Sequence, residues 1–89
     1  MKVEKKVTIS ETHSIEIGTS SWSSKEKSIR SRYDSLETGK FSPHASSELP
    51  IPDLQPIIKM AAENDLLSIS QCSEMIVALS KSISKQVSS

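Results

Sequence analysis

Apolar and polar residues alternate at the start of the chain. In "VEKKVTI" (residues 3–9) Val3, Val7 and Ile9 fall on odd positions with Lys5 as the one polar exception, and Ile15 and Ile17 repeat the alternation in "SIEIG" (14–18). A period of two marks a half-exposed strand. The short polar "SETH" between the two runs predicts an antiparallel hairpin over residues 1–18, with one face wet and one packed.

Residues 23–36 read in two ways. On a helix capped by Ser23 or Ser24, Trp22, Ile29, Tyr33 and Leu36 fall at spacings of seven, four and three and gather into one core stripe, with Lys25 and Arg32 flanking it and Lys27 and Arg30 opposite. This helix is the favoured reading. On a third strand, its rival, Ile29 and Tyr33 point inward while Arg30, Arg32 and Asp34 share the outward face. Residues 37–50, "ETGKFSPHASSELP", carry Gly39, Pro43, Pro50 and three serines and are expected to be a loop with Phe41 as its single anchor.

Helical periodicity governs the rest. Pro52 suits a first turn, Asp53 complements the dipole, and Leu54, Ile57, Ile58 and Ala61 form a stripe, so a helix is expected over 52–64 with Asn64 and Asp65 as its stop. Ser68 and Gln71 make a capping box for a second helix over 69–86. Along it Ile69, Cys72, Ile76, Leu79 and Ile83 recur at three, four, three and four, and 84–89 is expected to fray. The predicted fold class is α+β. An amino-terminal antiparallel β-hairpin, with three strands if 23–36 is extended, packs against a carboxyl-terminal antiparallel helix pair in one small domain spanning 1–89.

Composition changes this picture in one respect. The hydrophobic fraction is 35% and Trp22, Tyr33 and Phe41 are the only aromatics, so 89 residues must build a core from a short supply of aliphatic side chains, and a partner is expected to complete it. One cysteine excludes an internal disulfide, and "MKVEKKVTIS" lacks the apolar run of a signal peptide, so the cytoplasm is the expected compartment. No apolar run approaches the roughly 18–20 residues that cross a bilayer, and no membrane partner is expected.

The formal net charge is zero, yet residues 25–32 carry +3 and residues 33–79 carry −5. The basic segment, with Trp22, Lys25, Lys27, Arg30, Arg32 and Tyr33, is the candidate nucleic-acid surface, since cations and stacking aromatics together track a single strand. Against it stands the claim of the core on both aromatics; a solvated, ion-paired face or contact with an acidic protein explains the same residues.

Other chemistry finds little support. His13 and His44 are the only imidazoles and are expected in turns; Ser42, His44 and Asp53 can be drawn as a triad, but about twenty serines make such a set cheap. One cysteine and two scattered histidines do not supply a zinc site. A calcium-loop alignment puts Ala62, Asn64, Leu66 and Ser73 where acidic ligands belong, and Gly18 and Gly39 lie outside any phosphate-cradling loop. A helix-turn-helix alignment leaves Ser70, Gln71, Ser73 and Glu74 as the recognition surface, with no cation before Lys81.

The expectation is therefore a non-enzymatic interaction module without a cofactor. It self-associates, or binds another protein, through Cys72, Met75, Ile76, Val77, Leu79 and Ile83, where Met75, Val77 and Ala78 widen the last helix's apolar face beyond what one neighbour covers. Nucleic-acid binding through the basic segment is the alternative.

Overall fold

The computed structural model describes residues 1–89 as a mixed α+β chain in two compact units, Met1–Leu54 and Gln55–Ser89.

The first unit is a four-stranded antiparallel meander in which β1 (Lys2–Thr8), β2 (His13–Thr19), β3 (Lys27–Tyr33) and β4 (Ser47–Pro50) lie side by side in chain order. The predicted hairpin is its first half. In the β1–β2 turn the carbonyl of His13 accepts from the amides of Ile9 (2.9 Å) and Ser10 (3.0 Å). The alternation in β1 is interrupted. Val3 pairs with Gly18 and Lys5 with Ile17, so Glu4 forms a bulge and Val3 and Val7 lie on opposite faces of the sheet. Lys5, opposite Ile17, stays on the face of Val7, and it is Val3 that the bulge turns away.

The favoured helix over 23–36 does not form. Residues 27–33 are β3, paired along their whole length with β2, Ile17 opposite Ile29 and Glu16 opposite Arg30. Ser28, Ser31 and β-branched Ile29 carry little helix propensity, and ladders to β2 on one edge and β4 on the other pair backbone groups that a short isolated helix would leave frayed. Trp22 and Leu36, the ends of the expected stripe, lie outside the strand and are exposed. The loop expected over 37–50 is also shorter than its composition implied. Phe41 bridges to Asp34, Gly39 turns the chain at φ 68°, and residues 47–50 return as β4 with Glu48 opposite Arg30.

The sheet is inside out relative to the strand reading. Its better-covered face carries Ser14, Glu16, Gly18, Ser28, Arg30 and Arg32, and its open face carries Ile15, Ile17, Ile29 and Tyr33. Buried residues in this unit include Ser14, Glu16, Ser20 and Ser28, and no hydrophobic side chain is buried anywhere in the chain.

After a single 3-10 turn at Ile51–Asp53, α1 (Leu54–Glu63) begins. Pro56 falls among its first amides, which have no intrahelical acceptor, so it costs the helix nothing. Asp65, at φ 56°, ends the helix in a left-handed conformation while the Leu66 amide donates to the Ala61 carbonyl (2.9 Å). In α2 (Ile69–Ser88) the capping box is present: the Ser68 hydroxyl accepts from the Gln71 amide (3.1 Å) and the Gln71 side chain accepts from the Ser68 amide (2.9 Å). The frayed tail is not observed. The helix continues through Ser88, with Lys85 in its last turn set against the negative end of the dipole. The two helices are looser than the close-packed pair expected, for they flank an apolar hollow and bury no residue.

The bulge yields a test. A Cβ at Gly18 would fall on the Lys2 carbonyl and within 2.9 Å of the Val3 Cα, both backbone atoms that cannot swing aside. Gly18→Ala is expected to cost about 1–3 kcal/mol in denaturant unfolding and to abolish amide-exchange protection in β1 while leaving β2–β3 protected.

Candidate functional site

The basic segment was the alternative candidate, and the structure distributes its residues. Lys25 is exposed in the β2–β3 loop, and Trp22, 47% exposed there, donates its indole N–H to Glu26 (2.6 Å). Lys27 reaches across to Glu4 on β1 (3.3 Å). Arg30 and Arg32 turn onto the covered face. There Arg30 Nε and Nη2 both donate to Glu16 Oε1, at 2.9 and 2.7 Å, and Arg32 lies 3.6 Å from the other Glu16 oxygen while its Nε donates to Asp34 (2.9 Å).

Phe41 roofs this cluster, with its ring centre 4.7 Å from the Arg30 guanidinium carbon and 5.1 Å from that of Arg32. The ring supplies a cation–π contact that needs no water. Hydrogen bonding to Asp34, the leading cause, raises the Arg32 pKa against an opposing desolvation. Glu16 is 2% exposed and every buried side-chain polar atom is satisfied. The arginines are therefore spent on a structural ion pair, and the six-residue nucleic-acid surface is not assembled: Tyr33, on the opposite face, stacks on His13 at 4.1 Å.

His13 is the one position where catalytic geometry appears that the sequence did not suggest. It opens β2 instead of lying in a turn, and its Nε2 is 2.9 Å from the Ser31 hydroxyl directly across the ladder's neighbouring register. A serine and an imidazole at this distance are the first two members of a hydrolytic set. The third is missing, because no carboxylate reaches the other ring nitrogen. His44 is exposed in the loop, and no group of three His, Cys, Asp or Glu side chains comes together to hold a metal ion.

A second polar site joins β4 to the β2–β3 loop. Glu48 accepts from the Ser21 amide (2.8 Å), the Ser28 hydroxyl (2.9 Å) and the Ser21 hydroxyl (3.3 Å). Burial pushes this carboxyl up, but these three donors and the amino-terminal charge outweigh it and hold the pKa below its ordinary value.

In the helical unit four of the six predicted interface residues line one hollow. Cys72, Met75, Ile76 and Leu79 of α2 face Ile58 and Ala62 of α1 across an apolar hollow of about 270 Å³. Val77 and Ile83 lie outside it and are exposed. Leu67 also lines the hollow at the turn, and Val87, at the end of the helix, is 80% exposed. Val87 continues the Ile76–Leu79–Ile83 spacing, the signal that could have found it.

No protein-family model matches this chain, and neither a curated protein nor a solved structure is significantly similar to it.

Two outcomes test the polar sites. Glu16→Gln leaves Arg30 without a carboxylate and Arg32 with Asp34 alone and is expected to destabilise by about 3–5 kcal/mol, whereas the double change Glu16→Leu with Arg30→Met is expected to recover most of that loss in urea unfolding. Because the folded pKa of Glu48 lies below its unfolded value of about 4.5, its contribution is complete above that value and disappears as the pH falls through the lowered one. Acid titration of unfolding is expected to show this loss, and Glu48→Gln to flatten it.

Proposed function

We propose that this protein is a non-enzymatic module that assembles with a second copy of itself through its helical unit. One observation carries the reading: the chain buries no hydrophobic side chain, yet α2 lines up Ile69, Ile76, Leu79, Ile83 and Val87, each more than half exposed. Six such aliphatic residues, counting Val77, present on one helix an area of the order that one partner contributes to a stable interface, roughly 800 Å². Their spacing is that of a helix seam, which other helices cover.

A patch of this size left open exceeds what a monomer ordinarily tolerates, and a second copy is the partner always present at matching concentration. Self-association is favoured over the nucleic-acid alternative because Arg30 and Arg32, two of the four cations that alternative needs, are held by Glu16 and Asp34. No helix is long and apolar enough to cross a membrane. The cytoplasm, where a single free thiol such as Cys72 stays reduced, is the compartment we propose.

Sedimentation of the whole chain at tens of micromolar is expected to give an oligomer that dissociates on dilution. Ile76→Lys, a change at an exposed helical position that leaves the sheet untouched, is expected to raise the dissociation constant at least tenfold with the circular dichroism of the sheet unchanged. A strictly monomeric wild type at every concentration ends the proposal.

A further inference from the structure

A hollow beside α1 runs along only part of the seam of α2. At 1.5 Å per residue, the ten residues of α1 span about 15 Å and the twenty of α2 about 30 Å. Accordingly the hollow that α1 flanks ends at Leu79, and Ile83 and Val87 lie beyond it with exposures of 62% and 80%. The charges of α2 divide at the same place. Glu74 is the only charged residue in the amino-terminal half, which lines the hollow, and Lys81 and Lys85 are the only ones in the carboxyl-terminal half.

Resting on the self-association proposed above, we infer that the occupant of the hollow is the carboxyl-terminal half of α2 from a second copy, the two helices running antiparallel about a twofold axis near residues 77 and 78. Three features of the helix favour this arrangement. Read as heptads, Ile69, Ile76 and Ile83 occupy one core position and Cys72, Leu79 and Gln86 the other. Antiparallel pairing sets one kind against the other, so Ile76 meets Leu79 of the partner copy and Ile83 meets Cys72 of the partner copy, on the wall of the hollow. The acidic half of each helix then lies along the basic half of the other, and the helix dipoles oppose. A parallel pair aligns like charges with like and leaves both Ile83–Val87 ends away from either hollow. Because the axis is twofold, both hollows fill and the contact closes on itself.

Disulfide trapping of the full chain tests the occupant. In I83C, the new thiol of one copy is placed within the 4.4–6.8 Å Cα separation of a disulfide from Cys72 of the other. Within one chain the two positions are eleven residues apart on a helix, about 16 Å, and cannot join. Mild oxidation is expected to convert more than half of I83C into a covalent dimer whose digest contains a peptide pair linking positions 72 and 83. Wild type and I83C/C72S are expected to give less than a tenth of that yield. Wild-type dimers joined at Cys72 on both sides overturn the inference in favour of parallel helices. A wild type that sediments as a dimer while I83C yields no 72–83 link overturns the inference and leaves self-association standing. A monomeric wild type removes both.

Discussion

The carboxylate of Glu16 decides what the first unit is. It lies almost wholly out of water and accepts from Arg30 while facing Arg32, whose other partner is Asp34. A buried ion pair of this kind adds little net free energy over a well-packed apolar substitute, but losing one member leaves an uncompensated charge. Its effect is therefore one of specificity. With Glu16 opposite Arg30 and Ser14 opposite Arg32, only one register of β2 against β3 neutralises the covered face, and a slip of one residue would present isoleucines to the guanidinium groups and carry Glu16 to the open side.

Everything else about the sheet follows from where that pair lies. The loop after β3 is drawn back over it so that Phe41 can roof the guanidinium groups, and this return brings residues 47–50 alongside β3 as a fourth strand. Ser28, fully excluded from water, binds Glu48 at the strand's edge and ties that return in place. The aliphatic side chains of β2 and β3 are left on the open face. A domain that encloses its charges and displays its isoleucines cannot draw its stability from an internal apolar core.

The helical unit meets the same constraint from the other direction. It has a regular seam and a sound cap, and still buries nothing, because ten residues of α1 are too few and too widely spaced from α2 to close over twenty. Helices in water owe most of their stability to burying an apolar face. For α2 the unit's own residues supply little of that burial, and the row of Ile69, Ile76, Leu79 and Ile83 along it offers no polar group to orient a ligand.

The amino-acid sequence alone determined whatever depends on neighbours along the chain. The hairpin of β1 and β2, the capping box at Ser68, the stop at Asn64 and Asp65 and the seam from Ile69 to Ile83 are all local: each is set by period, cap or turn within a few residues. Tertiary structure alone decided between helix and strand for 27–33, since both placed Ile29 and Tyr33 on one side, and the choice turned on Glu16 lying eleven or more residues away. It also decided which face of the sheet would be covered. Hydrophobic periodicity finds the two faces but assumes that the apolar one goes inside, and here a buried carboxylate with two arginines and one phenylalanine reverses that assumption. The same pairing withdrew Arg30 and Arg32 from most of the solvent, which no count of charges along the chain could foresee, because charge counts carry no information about which cation finds which anion across a sheet.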